Sequence, residues 1–154
     1  MPGLNTAHST AATVPVHPIL ANDPASDWMG IEVVELSAGH ATIQMTLREE
    51  MLNGFGIAHG GMLFAFADSA FALACNHIND DGELADPSTI TVASGVDINF
   101  LKPAKPGQLL TADAHQRHQA GRSGIYDIQI LADGVVVAEF RGRSRTVPNP
   151  AFKQ

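Results

Sequence analysis

From Ile57 to Ile78 the chain runs for 22 positions, 15 of them apolar, with Asp68 as the only charged side chain. The apolar residues lie on all sides of a helical projection and no proline interrupts them. A helix apolar on every side has to be wrapped by other structure. An ionised carboxylate in such a setting is costly unless something pairs with it or uses it. At the front of the run, His59-Gly60-Gly61 places residues without Cβ among the first helical N–H groups, which lack intrahelical partners and sit at the positive end of the helix dipole. That end suits an anion or a developing oxyanion.

The flanking segments change period from 3.6 to two. Ile31 to Leu36 alternates, Ser37 to His40 makes a turn, and Ile43, Met45 and Leu47 alternate with polar residues, which predicts a hairpin. After the helix, the loop containing Asn79 to Glu83 and Pro87 leads to four further strands: Thr89 to Leu101, Gln108 to His118, Gly124 to Leu131 and Val135 to Thr146. Turn chemistry separates them, with Asp133-Gly134 a strong two-residue hairpin signal. The order β, β, long α, then four β predicts an α+β fold: an antiparallel sheet wrapped around one central helix. Pro18 to Trp28 predicts one or two short helical turns broken at Pro24, forming a lid over the sheet anchored by Trp28. Residues 1–17 read as a disordered leader, 18–147 as one domain and 148–154 as a flexible tail.

Charge separates the possible ligands. The net charge is −7. Up to residue 101 there are twelve acids and one base, Arg48; beyond it there are four acids and eight bases. The last third is therefore either an anion-binding surface or a solvated basic face. An acidic whole with few aromatics argues against nucleic acid and for a small phosphorylated ligand. The single cysteine, Cys75, excludes an intrachain disulfide and reads as an inert buried thiol. Neither a secretory signal nor a membrane span is evident, so the expected compartment is the cytoplasm.

Gly60 and Asp68 are eight residues apart, roughly 12 Å along a helix. One substrate atom cannot meet both within a single chain. If the Gly60 N–H polarises a carbonyl on which Asp68 acts, two helices from two chains must lie side by side, antiparallel, in a homodimer with two composite sites. The alternative is that Asp68 caps a neighbouring strand or pairs with a buried base.

The pattern Asn53-Gly, His59-Gly-Gly-x-Leu-Phe-x-x-Ala-Asp68-x-Ala-Phe-Ala-x-Ala-Cys-Asn76 closely resembles the hotdog-fold acyl-CoA thioesterases of the phenylacetic-acid-degradation type. Asn stands six residues before the His and Asp nine after it. The likeness extends over about residues 18 to 146, through Gly30-Ile31, Glu49 to Asn53, Asp97 to Pro103, Tyr126-Asp-Ile and Phe140-Arg-Gly-Arg-Ser144. It implies hydrolysis of an acyl-CoA to free acid and CoA, with no metal and no cofactor, by a homodimer that pairs into a homotetramer. Gly60 is implied to donate its N–H to the thioester oxygen and the Asn53 amide to orient substrate or water. Asp68 of the partner chain is implied as general base or nucleophile, and His59 as a residue that orders the loop or contacts the thioester. Gly61, Phe55, Ser94 and Pro103 are placed at the substrate, and Lys102, Arg122, Arg141 and Arg143 at the CoA nucleotide. Phe55 to Ala58 is apolar here and polar in some relatives, a departure that leaves the implied acyl group at small aromatic or medium-chain and not necessarily phenylacetyl.

Thioester hydrolysis needs donors aimed at the developing oxyanion and a carboxylate to attack the carbonyl or deprotonate water. The helix N-terminus and Asp68 provide both. Burial raises the pKa of such an aspartate and a partner helix N-terminus lowers it, so both routes stay open. An enoyl or hydroxyacyl thioester hydratase is the rival on the same fold, and a non-catalytic acyl-CoA-binding module the rival from another class. Three other patterns carry less. His115 and His118, three apart in a strand, point to opposite faces and make a poor metal pair. His-Gly-Gly without a Gly-x-Ser-x-Gly elbow does not make an α/β-hydrolase. Ser69 reads as a helix-packing hydroxyl, Asn76 as a polar contact at the helix C-terminus, and Ser94-Gly95 as a bulge.

Overall fold

The computed structural model describes residue 14 and residues 16–152. Most of the expected leader, and the last two residues of the expected tail, lie outside them. Two short helices come first, α1 (Pro18–Ala21) and α2 (Pro24–Met29), each with proline in its first turn. A hairpin follows, β1 (Glu32–Ser37) and β2 (His40–Thr46), then a single 3-10 turn at Glu49–Met51 and the long helix α3 (Gly60–Cys75). Four strands complete the chain: β3 (Thr89–Phe100), β4 (Leu109–Ala120), β5 (Ser123–Ala132) and β6 (Val135–Pro148). All pair antiparallel in one six-stranded sheet of order β1-β2-β4-β5-β6-β3. Helix α3 packs against every strand, so the sheet curls around it as the hotdog arrangement requires. No helix among the described residues is long and apolar enough to cross a membrane.

Strand alternation determines which side faces α3. Ala41, Ile43 and Met45 of β2, Ala112 and Ala114 of β4, and Ile128 and Ile130 of β5 are buried beneath it. The intervening side chains, among them Thr42, Asp113, Asp127 and Arg141, line the opposite face. At Gly142 the sheet backbone closely approaches a helix side chain. A Cβ there would lie 2.7 Å from the Phe71 ring. The missing side chain lets Phe71 settle on the β6 backbone, tilted against Tyr126 at 5.4 Å and Phe140 at 6.0 Å between centroids.

Helix α3 is shorter at both ends than the apolar run. At its start, the Ala58 N–H donates to the Ala104 carbonyl and the His59 N–H to the Met51 carbonyl, which holds those residues extended. At its end Asn76 stops it. The Asn76 side-chain amide donates to the carbonyls of Ala72 and Thr91, while its oxygen accepts the Thr91 N–H, tying the helix end to β3. The sheet also covers only part of the helix. Gly61, Phe64, Asp68 and Ala72, at helical spacing on one side, remain exposed or half-buried.

The short helices form, but α2 packs chiefly on α3 rather than over the sheet, and Trp28 does not anchor it. Trp28 is 49% exposed and stacks under the Arg48 guanidinium at 4.7 Å, whereas Met29 is 3% exposed in the core. The turn that begins at Pro24 rotates Met29 and Ser26 inward instead, and the Ser26 hydroxyl bonds to Ser69 of α3 at 2.9 Å. Ser69 is thus a helix-packing hydroxyl, as its position in the run predicts.

His17, expected at the end of the leader, belongs to the folded body. It is buried, its Nδ1 accepts the Ile19 N–H at 3.2 Å, and its Nε2 donates to the Asn76 carbonyl. Burial holds its pKa below the ordinary value of 6.5, so the fold carries the neutral ring. Below 6.5 the unfolded chain takes up a proton that the native ring resists. Stability therefore falls as pH drops from that value toward the folded pKa. Melting temperatures of wild type and His17→Gln measured from pH 7.5 to 5 should converge toward the acid end, because the variant has no such proton to take up. A constant difference would mean that His17 titrates alike in both states.

Candidate active site

His59 is the N-cap of α3. Its φ/ψ of −64°/130° is extended, and its Nδ1 accepts the Gly61 N–H at 2.9 Å, which satisfies one of the helix's free donors. The Gly60 N–H has no acceptor among the described residues. Gly60 borders a cavity of about 420 Å³ lined also by Asn53, Phe100, Lys102 and Pro103. A Cβ on Gly60 would come within 3.0 Å of the Phe100 ring, so glycine keeps the approach to that N–H open.

Asn53 directs its side-chain oxygen into its own loop. Oδ1 accepts the N–H groups of Phe55 at 2.9 Å and Ile57 at 3.4 Å, and the Asn53 backbone N–H donates to the Ile57 carbonyl at 2.8 Å. The chain therefore makes a tight loop that returns to the helix start. The amide nitrogen of Asn53 is the part left for a ligand. Phe55, at the loop tip, is 89% exposed and stands clear of this cavity.

Asp68 lies two turns further along α3, on the side the sheet leaves open. It borders a separate, mostly apolar cavity of about 360 Å³ with Phe71, Cys75, Ile90 and Val92. The carboxylate is half-buried and forms neither a hydrogen bond nor an ion pair among the described residues. Neither the neighbouring-strand cap nor the buried base occurs among the described residues of one chain. Desolvation pushes its pKa above the ordinary 3.8. Cys75 in the same cavity is inert for a like reason: burial pushes its thiol up to about 12, so it stays protonated at neutral pH.

The basic residues divide. Lys102 and Pro103 join Asn53 and Gly60, but Arg141 and Arg143 lie on the outer face of the sheet with carboxylate partners. Arg141 forms a two-point contact with Asp127, Nε at 2.7 Å and Nη2 at 2.9 Å, and Arg117 shares the same carboxylate at 3.1 Å. The bonds from Arg141 outweigh desolvation and hold Asp127 below its ordinary range. Arg143 reaches Asp97 at 3.3 Å and lies over Gly95, where a Cβ would come within 3.0 Å of its Nε. Arg122 sits exposed at the β4-β5 turn. The expected bulge between Ala93 and Gly95 is present, and Ser94 Oγ donates to the Arg143 carbonyl at 3.1 Å.

Several wall residues escaped the sequence reading, Phe100 and Val92 among them. Phe100 covers the Gly60 cavity while 54% exposed, and Val92 borders the Asp68 cavity. Both read as ordinary strand residues; the only signal was the apolar pair Phe100-Leu101 just before a proline turn.

Residues 55–139 match the Thioesterase superfamily. The chain is 39% identical over 132 residues to the acyl-coenzyme A thioesterase PaaI of Escherichia coli, covering 85% of this chain and 88% of that protein. The solved structure of the E. coli PaaI protein, from the phenylacetic acid degradation operon, superposes with a TM-score of 0.74 over 84% of this chain and 88% of that one. A single-site mutant of the phenylacetic acid degradation protein PaaI from Thermus thermophilus superposes with a TM-score of 0.69 at 32% identity, covering 80% of this chain and 98% of that one. With its helix start, capping histidine and unpaired aspartate set in that framework, the chain belongs to the thioesterase superfamily and is a thioester hydrolase of the hotdog fold.

Proposed function

We propose that the chain hydrolyses acyl-CoA thioesters at composite sites between two copies of itself. The observation that carries this reading is the division of the machinery. Gly60, with its free N–H, borders one cavity, and the unpaired Asp68 carboxylate borders another, two turns away along the same helix. An antiparallel pair of α3 helices, packed through the side the sheet leaves open, brings Gly60 of one copy to Asp68 of the other. Two such dimers then pair into a tetramer.

In this site the thioester oxygen takes the Gly60 N–H, where the helix dipole favours the charge that develops in the transition state. The Asn53 amide nitrogen positions substrate or water. His59, whose Nδ1 already accepts from Gly61, orders the helix entrance. Asp68 either takes a proton from the attacking water or attacks the carbonyl carbon itself. In the first route the C–S bond breaks and the proton taken up by Asp68 passes to the CoA thiolate. In the second the C–S bond breaks to leave an acyl-aspartyl anhydride, and the thiolate takes a proton from solvent. Water then hydrolyses the anhydride to the free acid and regenerates Asp68. Neither route requires a metal or cofactor.

Lys102 and Pro103 border the Gly60 cavity, where the pantetheine arm would leave the site. Arg122, Arg141 and Arg143 bind the CoA phosphates, the last two by exchanging carboxylate for phosphate. The E. coli relative, from a phenylacetic acid degradation operon, favours an aryl-acetyl or other small aromatic acyl group, with a medium-chain acyl group as the alternative.

The test has two parts. Free thiol release from phenylacetyl-, hydroxyphenylacetyl-, benzoyl-, short- and medium-chain acyl-CoA should show turnover with a preference for the aromatic acetyl esters. Affinity for these esters without release would favour the binding module. Asp68→Asn and Asn53→Ala chains, each impaired alone, are then unfolded together and refolded as a mixture. In composite sites half of the chains pair as mixed dimers, each with one intact site, so activity returns to about a quarter of wild type. No recovery would place Asn53 and Asp68 of one chain in the same site.

A further inference from the structure

On the outer face of the sheet, three ligand-type side chains converge outside the site described above. His40 of β2 is the direct cross-strand neighbour of His115 of β4, and Asp113 lies two residues before His115 on the same face. The His40 Nε2 is 2.8 Å from Asp113 Oδ1 and the His115 Nε2 is 2.8 Å from Asp113 Oδ2. The two imidazoles stack at 4.3 Å with 16° between their planes. We propose that His40, Asp113 and His115 form a binding site for a transition-metal dication of the Zn²⁺ class, separate from the thioester chemistry.

The donor set carries the choice of ion. Two imidazole nitrogens and one carboxylate oxygen suit Zn²⁺, Co²⁺, Ni²⁺ or Cu²⁺; Mg²⁺ and Ca²⁺ prefer all-oxygen sites. The three donor atoms lie within 4.8 Å of one another, close to what a common ion at about 2.1 Å from each requires. A small tilt of the two rings brings both lone pairs onto one point. Paired strands hold all three residues, so the arrangement is already built in the protein without metal.

The Asp113 carboxylate accepts hydrogen bonds from His40, His115 and Thr42. Both imidazoles now direct Nε2–H at that carboxylate. On metal binding the Nε2 proton of each neutral ring moves through solvent to Nδ1, leaving the Nε2 lone pair for the ion. For His40 the acceptors that such a tautomer needs are in place: Ser37 Oγ lies 3.3 Å and Glu35 Oε1 3.8 Å from Nδ1. Outer partners of this kind orient metal-binding histidines. Three protein ligands leave a position open to water or to a donor from another molecule.

His115 and His118 read as a poor metal pair, and no spacing in the sequence links His40 to His115; the β2-β4 register alone sets them side by side.

The test is titration of the full chain with Co²⁺ and Zn²⁺ at pH 7.5, with Mg²⁺ as control. Visible d–d absorption should saturate at one Co²⁺ per chain, and Zn²⁺ should displace it. His40→Gln and His115→Gln should each weaken Zn²⁺ binding by about 10- to 100-fold. Zinc added to wild-type protein should also shift the imidazole nitrogen resonances of His40 and His115 and leave those of His77 and His118 in place, a readout independent of how the variants fold. Equal affinity in both variants, binding that shifts the other histidines, or no cobalt uptake would each overturn the proposal.

Discussion

Replacing Asp68 by Asn should reduce thioester turnover by about 10²- to 10⁴-fold while CoA binding stays as in wild type. The amide keeps the size and polarity of the side chain but can neither accept the proton of water nor attack a carbonyl. Free-thiol assays under saturating substrate give the rate, and calorimetric titration with CoA gives the binding. A variant with near wild-type kcat would remove Asp68 from the mechanism. The same substitution should leave the fold as stable or more so. Because desolvation holds the native carboxyl above its ordinary pKa, the folded chain retains a proton through a window where the unfolded chain has lost it. Stability falls as pH rises through that window, and above it the ionised side chain opposes folding. The melting temperature of Asp68→Asn should therefore equal or exceed that of wild type at pH 7.5, with the difference shrinking toward pH 4. A large loss of stability at neutral pH would mean that the carboxylate is paired in the assembled protein.

The second large effect is on stability. Gly142→Ala should destabilise the chain by about 1–3 kcal/mol, since its Cβ would stand 2.7 Å from the Phe71 ring and that ring is confined by Tyr126 and Phe140. The melting temperature should drop by about 3–10 °C. Gly142→Ala combined with Phe71→Leu should recover part of the loss, because the smaller side chain vacates the space the new methyl needs. Losses that simply add would mean that the ring does not hold Gly142 in place. The contact also ties β6 to the middle of α3, two positions from Ser69 and three from Asp68, so the variant's activity should fall at lower temperatures than that of wild type.

Much of the site was legible because its motif is local. His59 as the cap, Gly60 at the helix start and Asp68 eight residues on share one helix, and helical geometry makes their separation calculable from the sequence. Asn53, Lys102 and Pro103 reach the same cavity as Gly60 through loops that the family resemblance had already placed. Arg141 and Arg143 were also recognisable as a basic strand. Their carboxylate partners, Asp127 and Asp97, were not, since those contacts depend on which strands pair and in which register. Phe55 was placed at the acyl group by its position in the motif, yet in a single chain the loop turns it outward.

The sequence alone determined the helix, the six strands and their turns, because hydrophobic period and the Gly, Pro and Asp chemistry of turns act within a few residues. It also determined that one helix could not bring Gly60 and Asp68 to the same atom. Where α3 starts and stops, that Met29 rather than Trp28 holds α2, and that His17 is buried were decided by hydrogen bonds and packing between distant segments. So was the meeting of His40 with Asp113, 73 residues away. Cross-strand register sets such contacts, and a shift of one residue would turn each of these side chains to the other face of the sheet. No local pattern encodes that choice; it is made when the core closes over the inward-facing half of every strand.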